Sequence, residues 1–181
     1  MTAPPPYRVR PSTPRTLGTL AVVFGLVVAT MSLMTVVSGA RIASDDLAPE
    51  AVAQFEAATR AASLATALVL LVMSLALAFI GGGLRRYERW AVPSALRWSL
   101  GALLIVGVLT YVNAVVIGPA AAALFASTTD ADRAALAGVM RWAGVGTPLV
   151  YAPFPVVLFV NLRRPHILAA MDQPVRRLPA R

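Results

Sequence analysis

Residues 61–86 read AASLATALVLLVMSLALAFIGGGLRR. The stretch contains no charged side chain until it reaches the pair Arg85 and Arg86. A helix needs about 20 apolar residues to cross the ~30 Å hydrocarbon core of a bilayer, whereas a buried helix of a soluble protein is rarely apolar for more than about 14. Residues 61–84 of this stretch therefore predict a transmembrane helix.

Three further runs have the same character. They cover residues 16–40, 98–124 (uncharged as far as 129) and 142–162. With 58% hydrophobic residues, a soluble chain would have too little polar surface to cover itself. We therefore expect an all-α fold, a polytopic bundle of four transmembrane helices within residues 16–164. A disordered proline-rich tail (1–15) precedes it and a second tail (165–181) follows it.

Arginines predict how the bundle is oriented. The segments outside the spans carry three arginines before the first span, four between the second and third, and five after the fourth. The other two connections carry two each. Because Lys and Arg are enriched in cytoplasmic loops, both termini should be cytoplasmic. The second helix should begin outside the membrane near Pro49, since Asp45, Asp46 and Glu50 provide helix-start chemistry there.

The alternative for the first run is a cleaved signal peptide. Arg8, Arg10 and Arg15 would form its basic region, and residues 38–40 read SGA, a small-residue cleavage pattern. The run is longer than the usual 7 to 15 apolar residues of a signal peptide. We therefore favour a retained span, and cleavage would not change the orientation of the other three.

Composition excludes several chemistries. The chain has no cysteine, so disulfides, thiolate metal sites and thiol catalysis are excluded. All 16 basic residues are arginine, which together with abundant Ala, Val, Leu and Pro indicates a GC-rich bacterial genome and hence an inner-membrane protein. The net charge of +8 follows from the loop arginines, so we expect anionic headgroups as partners and no nucleic acid. No cofactor or metal is expected.

The four runs contain no Asp, Glu, His, Lys or Arg. Ionisable residues within spans mark proton relays, ion coupling and voltage sensing, so the sequence offers none of these. No catalytic motif is present either. We expect a non-enzymatic protein that acts through membrane or cytoplasmic partners. The alternatives are a small transporter for a neutral solute and, third, a membrane enzyme acting on a lipid.

A transporter would use the outer half of the bundle. The fourth run is interrupted by a predicted helix break, and polar residues at the same depth of the third run could meet it. We expect Pro148 to open a new helix after the break. Because Pro153 has no N–H to donate four residues back, the carbonyl of Leu149 should be poorly paired. The cluster would be a hydrogen-bonded clasp or a small polar pocket. The break comprises Gly144, Gly146, Pro148, Pro153 and Pro155, and the polar cluster comprises Tyr111, Asn113, Thr147 and Tyr151.

Small residues recur at four-residue spacing in three spans: Ala21, Gly25, Ala29 and Ser32; Ser74, Ala78 and Gly82; Thr110, Ala114 and Gly118. Such stripes allow helix backbones to approach closely. We expect them to pack the bundle, and the alternative is a homo-oligomer face.

Arginines border the spans on the predicted cytoplasmic side. Those closest to the bilayer are candidate contacts for lipid headgroups: Arg85, Arg86, Arg89, Arg163 and Arg164. Gly81, Gly82 and Gly83 precede this group without a phosphate-loop pattern, so they predict a helix end or a flexible joint.

Overall fold

The computed structural model describes residues 12–38, 49–126, 137–139, 142, 146, 148–165 and 167. Within these residues all regular structure is helical: α1 (Thr13–Ser38), α2 (Pro49–Arg85), α3 (Ala91–Val112), a π-helix (Asn113–Ile117), α4 (Gly118–Ala126) and α5 (Pro153–Leu162). Both predicted tails fall largely outside the described residues.

Three segments in the described part of the chain are long and apolar enough to cross a membrane: α1, α2, and the continuous rod formed by α3, the π-helix and α4. The start of α2 at Pro49 is as predicted. The fourth run contributes α5, which has ten residues and is too short to cross a bilayer alone.

Glycines set the spacing between α1 and α2, which pack along their length. A Cβ added to Gly25 would lie 2.6 Å from the carbonyl oxygen of Ser74, and one added to Gly18 would lie 2.6 Å from that of Gly81. Only glycine permits backbones this close. The small-residue stripes of the first two spans therefore pack within the bundle, as predicted. Gly82 is the exception, because an added Cβ there would meet nothing within 4 Å.

The buried core lies where α1, α2, α3 and α5 meet. It is apolar, and its fully buried large side chains include Leu77, Leu84, Leu158 and Leu162. One cross-helix hydrogen bond supports this packing: the indole Nε1 of Trp98 donates to the carbonyl of Met73 at 2.9 Å. The core thus ties the end of the fourth run to the three long segments.

A tight turn closes α2. The backbone N–H of Tyr87 donates to Leu84 and that of Glu88 donates to Gly83, a pattern that satisfies the last carbonyls of a helix. Tyr87 occupies the left-handed position of this turn, at φ 57°, where glycine is usual. The three glycines at 81–83 are helical and directly precede the end of α2 at Arg85, so the helix ends just beyond them and no joint interrupts it there. They instead allow close contacts, since a Cβ on Gly83 would lie 2.7 Å from the Trp90 ring.

The third segment contains one irregular turn. The backbone N–H of Gly118 donates to the carbonyl of Asn113, five residues back, which is the π-helical bond. Pro119 follows and has no N–H to offer to Val115, so an unmodified α-helix would lose a bond and suffer a clash at this point. The wider turn coincides with this defect, and such turns are common at functional positions.

The fourth run is interrupted directly before Pro153, one of the residues assigned to the predicted break. Residues 148 and 149 are helical, residues 150–152 form a turn, and a new helix opens at Pro153. Residues 143–145 and 147 lie outside the described residues, so the opening of a helix at Pro148 stays a prediction. The carbonyl of Leu149 is also paired, since it accepts the N–H of Ala152 at 3.1 Å. The turn therefore supplies the donor that Pro153 lacks.

Candidate functional site

Asn113 is the buried polar residue of the predicted outer cluster. Its side chain is 8% exposed, and its amide Nδ2 donates to the carbonyl of Leu109 in the same helix at 2.8 Å. Tyr111 lies two positions away, about 200° around the helix, and is 68% exposed. The structure therefore does not bring Tyr111 and Asn113 together. The Asn113 amide forms its hydrogen bond within its own helix.

Tyr151 lies in the turn before α5 and faces α1. Its ring meets Phe24 edge to face, with centroids 6.2 Å apart, and Phe24 also stacks on Phe154 at 4.7 Å. Thr147 and Gly144 lie outside the described residues, so their part in the cluster stays a prediction. Gly146 is exposed, Pro148 is buried, and Pro153 is exposed at the start of α5. Aromatic packing accounts for the placement of Tyr151.

An interhelical cavity lies beside Tyr151. Its volume is about 40 Å³, and it is lined by Phe24, Val28, Leu70, Met73, Ser74, Trp98, Ala102, Ile105, Val106, Tyr151 and Pro155. The hydroxyl of Ser74 is turned to its own helix, where it donates to Leu70 at 2.6 Å. The lining is almost entirely apolar, and apolar cavities of this kind stay dry. Asn113 is absent from the lining.

Arginines from two helices meet at the other end of the molecule. Arg15 of α1 and Arg85 and Arg86 at the end of α2 line a cleft of about 470 Å³, together with Gly82 and Tyr87. Glu88 pairs with Arg86 at 4.0 Å and also accepts the indole N–H of Trp90. We call this the arginine cleft. It groups two of the five predicted headgroup contacts with a third arginine that the prediction omitted.

The other predicted headgroup contacts lie outside the cleft. Arg89 is exposed in the turn between α2 and α3, and Arg164 is exposed just beyond α5. The guanidinium of Arg163 lies 4.9 Å from the centre of the Phe159 ring, a cation–π distance. None of these three residues lines the arginine cleft.

The omission of Arg15 has a physical explanation. Taken alone, it is one of three arginines in a proline-rich tail. Once α1 and α2 pack antiparallel, however, the start of α1 and the end of α2 must lie together. The signal was therefore the pairing of the two small-residue stripes, which places residues 15 and 85 at the same end.

Catalytic and metal-binding arrangements are not evident in the described part of the chain. No group of three or more His, Asp or Glu side chains occurs there. Comparison with protein-family models, with curated proteins and with solved structures finds no match. The functional conclusion consequently depends on the geometry alone.

Proposed function

We propose that this chain is a four-span protein of the bacterial inner membrane, with both termini cytoplasmic, that acts by binding partners and not by catalysis. Three long apolar segments support the membrane assignment. The fourth crossing would use residues 142–162, with α5 as its cytoplasmic end. The core contacts of Leu158 and Leu162 support the inclusion of this segment in the bundle.

The observation that carries the proposal is the small, apolar cavity between the helices in the described part of the chain. A binding pocket for a small solute usually measures about 300 Å³ or more, whereas the cavity between the helices is about 40 Å³. The amide of Asn113 and the hydroxyl of Ser74 donate to their own helices and present no donor to a passing solute. The interior therefore supports a packed scaffold better than it supports a transport path.

The ends of the long helices provide the surface for a partner. Measured from Arg85, about 20 residues take α2 across the bilayer, so its first 16 or so residues would rise about 24 Å beyond the outer edge. Measured from Arg97, α4 would lie at or beyond the same edge. Between them is a groove of about 250 Å³ lined by Ala51, Gln54, Phe55, Ala58, Ala120, Ala123 and Leu124.

This groove is suited to a helix. Four of its seven lining residues are alanine, and small side chains allow a partner backbone to approach closely. Helix-in-groove contacts of this kind are a recurring mode of recognition. We therefore expect the partner to be a helical segment of another membrane protein.

The test uses two matched substitutions on α2. Ala58→Trp would fill the groove, whereas Ala57→Trp adds the same side chain to a neighbouring exposed position that does not line it. The proteins are purified in mild detergent and their complexes are measured by native mass spectrometry. We expect one stoichiometric protein partner with the native chain and Ala57→Trp, and its loss with Ala58→Trp.

Two results would contradict the proposal. One is equal partner retention by both variants, which would remove the groove from the interaction. The other is a native chain that carries no partner and that conducts a neutral solute in proteoliposomes. The latter would instead support the transporter alternative, for which the buried Asn113 at the start of the π-helix is the specific observation.

A further inference from the structure

The arginine cleft holds more positive charge than the acidic side chains among the described residues neutralise. Three guanidinium groups line it, and Glu88 pairs with Arg86. Within the described residues, neither Arg15 nor Arg85 forms an ion pair. In the proposed topology only two acidic side chains, Glu88 and Asp172, lie on the cytoplasmic side, against 12 arginines. Like charges held together in this way favour an anion supplied from outside the chain.

Backbone packing holds these arginines in place. A Cβ on Gly18 would lie 2.8 Å from the backbone nitrogen of Arg85 and 2.9 Å from its Cγ. The stem of Arg85 therefore rests directly on α1, one turn from Arg15. Arg86 leads into the turn that closes α2, which Tyr87 enters with a left-handed backbone. The helix packing thus brings the three arginines to the same end of α1 and α2, where their exposed side chains can reach a common anion.

An apolar stripe leads away from the cleft along α2. Leu75, Phe79, Gly82 and Arg86 follow one another at intervals of four, three and four residues, which places them on one face of the helix. Leu75 is 51% exposed and Phe79 is 71% exposed. Gly82 leaves a notch between Phe79 and Arg86, since nothing lies within 4 Å of where its Cβ would be.

This combination matches the chemistry of a phospholipid. A charged cleft at the end of two membrane-length helices would lie at headgroup level, and an exposed apolar stripe below it would lie at acyl-chain level. Arginine forms bidentate hydrogen bonds with phosphate oxygens. A soluble anion would contact the guanidinium groups but would not contact the Gly82 notch or the apolar stripe.

We propose that the arginine cleft binds the phosphate of an anionic phospholipid, with one acyl chain lying in the Gly82 notch and along Phe79 and Leu75. The inference rests on the proposed function in one respect, the orientation that places the cleft at the cytoplasmic surface. It deepens that function by naming a lipid partner for a specific site. Binding of a protein at the outer groove is independent of it.

The experiment compares two triple variants of equal charge. Arg15→Gln, Arg85→Gln and Arg86→Gln remove the cleft, whereas Arg97→Gln, Arg176→Gln and Arg177→Gln remove three other charges from the same predicted side. Full-length proteins in detergent are titrated with phosphatidylglycerol or phosphatidylcholine, and bound lipid is counted by native mass spectrometry. Circular dichroism verifies that each variant keeps its helices.

We expect the native chain to bind one phosphatidylglycerol in preference to phosphatidylcholine. Each cleft arginine should contribute about fivefold, so the cleft triple variant should lose on the order of a hundredfold in affinity. The control triple variant should change by only a few-fold. Equal losses in the two variants would overturn the proposal, because they would show a diffuse effect of surface charge.

A glycine pair tests the acyl-chain contact. Gly82→Leu fills the notch without removing a charge, and Gly101→Leu makes the same change at a glycine in α3 that also has open space around it. Only Gly82→Leu should weaken phosphatidylglycerol binding. Inorganic phosphate serves as the soluble competitor. Glycerol phosphate, which carries the headgroup phosphate without acyl chains, is the second competitor. If inorganic phosphate displaces the lipid at the same concentrations as glycerol phosphate does, and Gly82→Leu has no effect on binding, the ligand is a free phosphate and the lipid assignment is wrong.

The two proposals fail separately. Lipid counting uses purified protein and is unaffected if no protein partner exists. Conversely, the Ala58→Trp variant should bind phosphatidylglycerol as the native chain does. Loss of lipid binding in that variant would contradict the separation of the two sites.

Discussion

Replacing Gly25 by alanine should loosen the contact between α1 and α2. The added Cβ would lie 2.6 Å from the carbonyl oxygen of Ser74 and 3.0 Å from the backbone nitrogen of Ala78, whereas ordinary contacts are 3.4–4 Å. Both neighbours are backbone atoms, so they cannot rotate away. The helices must separate by a good part of 1 Å, and a gap of that size forfeits a quarter to a half of each dispersion contact along the interface.

The magnitude follows from two opposing terms. Overpacking of this kind costs about 1–3 kcal/mol, and replacing glycine by alanine within a helix returns roughly 0.5–1 kcal/mol. Gly107→Ala is the matched control, because its Cβ would meet nothing within 4 Å and only the favourable term applies. The free energies of unfolding of the two variants should therefore differ by about 1–3 kcal/mol.

The assay is unfolding in mixed micelles, followed by circular dichroism and by a crosslink between cysteines introduced on α1 and α2. The native chain has no cysteine, so each crosslink reports one chosen pair. Gly25→Ala should unfold at a lower denaturant fraction than the native chain, and Gly107→Ala at an equal or higher one. If the two variants behave alike, the close backbone contact does not stabilise the bundle and the packing argument fails.

Three further predictions concern single side chains. Tyr87→Ala and Tyr87→Gly remove the same ring, but only glycine adopts the left-handed backbone at φ 57° without strain. The glycine variant should therefore be more stable by about 1–2 kcal/mol. Equal melting temperatures of the two variants would contradict the assignment of strain. Trp98→Phe removes the hydrogen bond to the Met73 carbonyl and should lower the free energy of unfolding by about 0.6 to 1.7 kcal/mol. Denaturant titration compares it with Trp142→Phe, which makes the same change at an exposed position. Equal unfolding free energies of the two variants would refute a stabilising role for this hydrogen bond. Asn113→Leu removes only a bond within its own helix, so its unfolding free energy should change by less than ~1.7 kcal/mol; a larger loss would show that Asn113 has a partner on another helix.

The sequence predicted the helical class and the long spans because both follow from the composition of continuous runs. It also predicted the start of α2, since Pro49 and Glu50 carry local helix-start chemistry. The stripe that contains Gly25 was found by spacing, but Gly82 was assigned to the interface although Gly81 makes the contact. A shift of one residue rotates a side chain by about 100°, and spacing alone does not fix that rotation.

The candidate sites were harder to predict. Depth along a span placed Tyr111 and Asn113 together, but direction around the helix separates them. The π-helix coincides with the missing N–H of Pro119, and a count at fixed rise per residue does not capture such a local irregularity. The arginine cleft required the antiparallel pairing of α1 and α2, because Arg15 is 70 residues away from Arg85 along the chain. Long-range packing was thus the missing information for the cleft, and helix rotation was the missing information for the polar cluster.

The location of the C-terminus tests the central account most directly. In a chain whose N-terminus is cytoplasmic, four crossings return the C-terminus to the cytoplasm, whereas three leave it outside. Two single-cysteine variants, Arg181→Cys and Ala53→Cys, are treated with a membrane-impermeant maleimide on intact cells, and their labelling is compared. Ala53 is an exposed position near the start of α2. The account predicts labelling of Ala53→Cys in intact cells and of Arg181→Cys only after permeabilisation. Labelling of Arg181→Cys in intact cells would contradict the four-span topology.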